Sequence, residues 1–186
     1  EERERIRKSY RAIMKSLQVQ SDEEYDQLHR AFMGGFTHAS AVYAASESAI
    51  PDVGSADLTS SYPYTIVGEY FPMSSFTYIG ACIDGDLFKR YLKKYCCIFD
   101  IKFINIKPRV EFENIISVSR CWDVEGERIN NGRVISAKQL STTLTELDFE
   151  SIARFYSWDA IKVSNLRIAR RGYLPKALIL AVLDLY

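Results

Sequence analysis

The feature that most limits what this chain can fold into is residues 95–106, Tyr95-Cys96-Cys97-Ile98-Phe99-Asp100-Ile101-Lys102-Phe103-Ile104-Asn105-Ile106. The run alternates and is rich in β-branched and aromatic side chains, which predicts a long central strand. Pro108 ends it, because proline has no N–H to give to a ladder. A central strand needs partners on both sides, so the rest of the chain is read for what could cover it.

Residues 1–19 carry Ile6, Tyr10, Ile13, Met14 and Leu17 at helical spacing, one apolar stripe on a charged helix. Ser21-Asp22-Glu23-Glu24 is a capping box for a second helix bearing Tyr25, Leu28 and Phe32. Gly34-Gly35 follows, and glycine predicts a left-handed cap there. Residues 39–51 are small and polar, a connection. Phe76 to Ile83 reads as a strand. In Asp84-Gly85-Asp86 the first aspartate reads as an N-cap, because Leu87, Phe88, Tyr91 and Leu92 follow at helical spacing. Asn130-Asn131-Gly132 is a hairpin turn into Arg133-Val134-Ile135. Thr145-Glu146 opens a helix through Leu147, Phe149, Ile152, Ala153 and Phe155-Tyr156. Residues 159–169 form a further strand, Gly172 turns the chain, and Leu174-Pro175 starts a last helix.

Lysine plus arginine and aspartate plus glutamate both number 24, so formal charge is zero. That argues against gripping nucleic acid by net charge, although a basic groove on one face stays open. Four cysteines show no CxxC pair and no histidine at zinc-ligand distance. Cys96 and Cys97, adjacent on a strand, read as reduced packing residues. His29 and His38 lack a second ligand at suitable spacing and read as polar surface residues. No signal segment or bilayer-length apolar run occurs, so no membrane partner and a cytoplasmic location are expected. Lys162, Arg167, Arg170, Arg171 and Lys176 make the last forty residues basic. They are either a solvated face or, at Arg170-Arg171, a contact to duplex phosphates.

One stretch carries chemistry: Ser55-Ala56-Asp57-Leu58-Thr59-Ser60-Ser61-Tyr62-Pro63-Tyr64. Asp57 is expected at the end of a short apolar strand, Val53 to Leu58. Ser60 or Ser61 would cap a helix, Pro63 suits its first turn, and Phe71-Pro72 would stop it. A lone acid at a strand exit beside a helix N-terminus can hold a divalent cation and a phosphate chain. On residues alone, Asp57 reads as a helix-flanking acid and Tyr62 as a core aromatic.

The order Asp-x-x-Ser-x-Tyr-Pro resembles the first polymerase motif of family B DNA polymerases, in the form used by protein-primed phage and mobile-element enzymes. Upstream, Phe32-Met33-Gly34-Gly35-Phe36-Thr37 resembles the aromatic-x-Gly-Gly linker motif of the same group, with phenylalanine where tyrosine is usual. The resemblance implies an α+β palm-type fragment, a mixed or antiparallel sheet with packed helices, divided into a helical linker region (1–38), a palm segment (39–106), an insertion-like subdomain (107–165), and the start of the helix leading to the next motif (166–186). It implies that Asp57 is a metal-bridging catalytic carboxylate for two Mg²⁺ ions, with the Leu58 carbonyl on the nucleotide-bound ion. Ser60, Ser61 and Tyr62 would meet the dNTP triphosphate with backbone N–H groups, and the Tyr62 ring would exclude a 2′-hydroxyl. Phe32, Gly34, Gly35 and Phe36 would hold template DNA. The implied partners are a primer-template, dNTP and possibly a terminal priming protein. The family's second motif (Lys, then Asn-Ser-x-Tyr-Gly), its Asp-Thr-Asp hairpin and its exonuclease acids are not in these 186 residues. One carboxylate cannot hold two metals, so the chain alone is expected to be inactive. The alternative function is a non-catalytic module of related fold that binds DNA or a replication partner.

Overall fold

The computed structural model describes residues 1–35, 51–111 and 113–185. In chain order the elements are α1 (Glu2–Ser16), α2 (Asp22–Ala31), α3 (Ser61–Gly68), β1 (Phe71–Pro72), β2 (Thr77–Gly80), α4 (Gly85–Lys94) and β3 (Tyr95–Pro108). They continue with β4 (Cys121–Glu125), β5 (Arg128–Asn130), β6 (Arg133–Thr145), α5 (Glu146–Phe155), β7 (Tyr156–Ser157), β8 (Ala160–Gly172) and α6 (Lys176–Asp184). This is an α+β molecule built on one large antiparallel sheet.

The expected strand at 95–106 is the middle of that sheet. Its order is β1-β8-β3-β6-β4, with β2 on β8, β5 on β6 and β7 on β3. Every described pairing is antiparallel. Phe99 and Phe103 point to one face and are completely buried. There α4 and α5 cover them, with Phe88 edge-on to Phe99 at 4.8 Å and Trp158 against Phe103 at 4.9 Å. Each such ring contributes roughly 1.5–3 kcal/mol by leaving water. Cys97 lies in this layer and Cys96 is buried too, both as free thiols. Burial pushes the Cys97 thiol up to about 12 and the Cys96 thiol up to about 11.

Caps and turns follow residue chemistry. Asp84 accepts from the N–H groups of Asp86 and Leu87 at 3.0 and 3.1 Å, which fixes the start of α4 and holds its carboxyl below the usual range. Thr145 and Asp148 form a reciprocal capping box on α5. Asn131 and Gly132 both take positive φ, 48° and 72°, which a two-residue hairpin between β5 and β6 requires. At α2, Ser21 accepts from Glu24 N–H, while the Glu24 carboxylate accepts from Gln20 N–H instead of Ser21.

Some elements depart from expectation. The buried face of α2 is Glu24, Gln27 and Ala31, whereas Tyr25 and Phe32 are exposed, because the helix lies over a polar patch of the sheet. α2 ends at Ala31 with Phe32 in extended conformation, so the glycine pair makes no left-handed cap. α3 stops at Gly68, and Phe71–Pro72 is a short strand paired to β8. β6 is far longer than the Val134-Ile135 pair suggested. The boundaries expected at 106/107 and 165/166 fall inside β3 and β8, two strands of one sheet. No helix among the described residues is long and apolar enough to cross a membrane.

Candidate functional site

Residues 51–60 form no strand, and all are exposed. The strand expected to end at Asp57 is absent because its small residues (Gly54, Ser55, Ala56) bury no apolar surface and no described strand pairs with them. Asp57 therefore stands on exposed coil four residues before α3. Leu58 is 79 % exposed and Tyr62 85 % exposed. Tyr62 is thus not a core aromatic.

Ser60 occupies the N-cap of α3, but its side chain makes no capping bond. Its backbone is left-handed, φ 54°, which turns the chain sharply into the helix. Its carbonyl accepts from Tyr64 N–H at 2.9 Å. First-turn N–H groups point out of a helix end, and Pro63 has none, so Ser61 and Tyr62 supply the donors at this tip. α3 is tied down at its other end. Tyr70 packs on Tyr173 with ring centroids 4.4 Å apart, β1 pairs with β8, and α3 rests on α6. The 57–62 segment is an open acid, a bend and a helix tip on an anchored base.

The donor set suits a hard cation: a free carboxylate and a backbone carbonyl, both oxygen. It supplies one carboxylate, and among the described residues no group of three or more His, Cys, Asp or Glu comes together. The chain thus fits a share of a Mg²⁺ site.

The other expected site residues lie elsewhere. Phe32 is 72 % exposed, and among the described residues nothing lies within 4 Å of where a Cβ would stand on Gly34 or Gly35. Phe36 and His38 lie outside the described residues. Arg170 is exposed and donates to the Met73 carbonyl at 3.1 Å. The Arg171 guanidinium donates to the carbonyls of Leu92 and Tyr95 (3.2 and 2.8 Å) and pairs with Glu146 at 3.2 Å, so it staples α4, β3 and α5 together. No described hydrogen bond or ion pair joins Asp57 to Gly34-Gly35 or to Arg170.

A second polar constellation went unread in the sequence. Asp100, in the middle of β3 and 7 % exposed, faces α2. It accepts from Thr143 Oγ1 at 2.7 Å, Asn165 Nδ2 at 2.8 Å and Gln27 Nε2 at 3.4 Å, with Arg30 at 3.5 Å. Gln27 also donates to the Asn165 carbonyl and accepts from Arg167, whose guanidinium lies 5.1 Å above the Tyr78 ring. These groups line a cavity of about 480 Å³ with Glu23 and Asp26 at its edge. The available signal was a carboxylate between Phe99 and Ile101 in the most apolar half of the strand, since a buried charge must be paired.

No family model matches the chain, and no curated protein matches it. Among solved structures, the Phi29 DNA polymerase in its orthorhombic crystal form superposes with a TM-score of 0.55 at 12% identity. The match covers 93% of this chain and 30% of that one, so the chain spans under a third of the polymerase it resembles. At that identity the likeness is one of fold.

Proposed function

We propose that this chain is the palm-side segment of a DNA-directed DNA polymerase of the family B, protein-primed type, and that Asp57 belongs to its nucleotidyl-transfer site. The observation that carries this is the open, anchored 57–62 segment, in which a free carboxylate precedes a helix tip and an exposed tyrosine. A polymerase-like fold over 93% of the chain supports it.

In this function Asp57 and the Leu58 carbonyl each give an oxygen ligand to Mg²⁺. The ions, when bound, lower the pKa of the primer hydroxyl and stabilise the departing pyrophosphate. The N–H groups of Ser61 and Tyr62 orient the triphosphate at the α3 N-terminus, where the helix dipole favours an anion. The Tyr62 ring lies against the sugar and selects deoxyribose by leaving no room for a 2′-hydroxyl. Phe32 and the Gly34-Gly35 backbone hold the template strand, and exposed Arg170, beside Arg171, meets a phosphate. The site acts in a cytoplasm on primer-template and dNTP, with a priming protein as a further partner.

The test is Asp57→Asn in the polypeptide encoded by the complete reading frame that contains this chain. Incorporation should fall on the order of 10³-fold while primer-template affinity is kept. Incorporation within a few-fold of the parent would remove Asp57 from the chemistry. A polypeptide that binds primer-template but never extends it, with or without Asp57, would favour a non-catalytic DNA- or partner-binding module.

A further inference from the structure

The C-terminal end of α3 carries a contact that stability alone does not explain. Two residues, Glu69 and Tyr70, lie between the helix and β1. The Tyr70 ring lies against the Tyr173 ring, with centroids 4.4 Å apart and planes inclined at 33°. The two residues are 50 % and 52 % exposed, so the pair takes little apolar surface from water.

Around this pair, residues 71–74 are laced to residues 170–172. Phe71 and Pro72 stand opposite Gly172 and Arg171. Met73 N–H donates to the Arg170 carbonyl at 2.7 Å, and Arg170 N–H donates to Ser74 Oγ at 2.9 Å. Glycine at 172 lets the two segments come this close, because a Cβ there would meet Met73 Cγ at 3.1 Å. Tyr173, directly after β8, thus belongs to the sheet side of the joint, and Tyr70 to the helix side. Little else fixes the tilt of α3. The helix buries none of its residues, and α6, which lies against it, buries none of its own. With 8 residues α3 is about 12 Å long, so a tilt of about 5° at Tyr70 shifts its tip by about 1 Å. When reacting groups must be aligned, a misplacement of about 1 Å costs on the order of 10²-fold in rate.

We propose that Tyr173 is a positioning residue for nucleotidyl transfer. Its ring, held against Tyr70, sets the tilt of α3 and with it the place of Ser61 and Tyr62 and the approach of the chain from Asp57. This rests on the function proposed above, and adds a residue that acts on the site through α3 alone.

The experiment has two arms. In the polypeptide from the complete reading frame, Tyr173→Ala should lower the rate at saturating dNTP about 10²-fold and weaken ribonucleotide exclusion. Primer-template affinity and the urea midpoint should hold. Tyr173→Phe keeps the ring and should incorporate within about threefold of the parent. In this chain, nitroxide labels on exposed Cys82 and on Tyr64→Cys, in the first turn of α3, report the tilt directly. Tyr173→Ala should broaden the distance distribution between them, and Tyr173→Phe should not. Parent-like incorporation by Tyr173→Ala would overturn the clamp, as would a loss in Tyr173→Phe equal to that in the alanine variant. A rate that falls together with the urea midpoint and primer-template affinity would overturn it too. Should Asp57→Asn abolish incorporation while Tyr173→Ala changes neither rate nor distances, only the clamp is lost. Should Asp57→Asn incorporate like the parent while Tyr173→Ala broadens the distances, the reading of Asp57 goes and the control of tilt by Tyr173 is kept.

Discussion

Two residues carry most of the local consequences, and they sit in opposite environments. Tyr62 is exposed, so replacing it should cost little stability, and under the proposed function it acts on substrate choice. Tyr62→Val in the complete polypeptide should raise ribonucleotide use relative to deoxyribonucleotide at least about tenfold, read by competitive incorporation. Unchanged discrimination would take the ring away from the sugar. Asp100 is the reverse case, a buried carboxylate that satisfies Thr143, Asn165 and Gln27 and faces Arg30. Asp100→Ala strands those donors and should cost about 2–4 kcal/mol in urea unfolding. A loss below about 0.5 kcal/mol would mean that water replaces the carboxylate at no cost. The order of polar residues around Asp57 needs no fold to be noticed. Asp100 could not be read in this way, because its meaning depends on Thr143 and Asn165, brought beside it by β6 and β8.

At the scale of elements, the chain follows its residues wherever one local force dominates. The α4 and α5 caps, the Asn131-Gly132 turn and the β3 run all formed as expected because each is decided within a few residues. β6 was readable only at Val134-Ile135. Its later residues Ser141, Thr142 and Thr143 are polar yet buried, held by partners distant in sequence: Thr143 bonds Asp100, and Thr142 bonds the Arg120 carbonyl. The buried face of α2 was hidden for the same reason. Conversely, Val53 to Leu58 looked like a strand and is not one, since a strand needs a neighbouring edge that the local sequence cannot supply. The junction of β3, α5 and β8 makes a testable unit. Glu146 accepts from Cys97 N–H at 2.7 Å and pairs with Arg171, with both side chains largely buried. Glu146→Ala leaves a buried N–H and a guanidinium without their acceptor and should cost about 2–3 kcal/mol, while Glu146→Gln should restore a good part. Equal losses in both variants would mean that charge, not hydrogen bonding, dominates.

For the whole molecule, burial of ionisable core groups sets a pH limit. Desolvation raises the Cys97 thiol from 9.0 to about 12, the Cys96 and Cys121 thiols to about 11, and the Tyr156 phenol from 10.0 to about 12. All four stay neutral longer in the folded state. Their contribution is therefore complete below about pH 9, where the unfolded thiols begin to ionise, and is lost as pH rises towards 11–12. Urea midpoints should be flat from pH 7 to 8.5 and fall steeply above 9.5, and a flat profile to pH 11 would contradict this burial. Under native conditions a thiol reagent should modify exposed Cys82 first, half-buried Cys121 more slowly, and Cys96 and Cys97 only on unfolding. Residues 57–62 form an open, single-carboxylate segment at the N-terminus of α3, and the proposed function requires that segment to be a share of a larger catalytic site. Mg²⁺-dependent primer extension tests it most directly, run side by side on this chain and on the polypeptide from the complete reading frame that contains it. The predicted result is no incorporation by the chain and templated dNTP incorporation by the polypeptide. Incorporation by the chain alone, or none by a polypeptide that still binds primer-template, would contradict it.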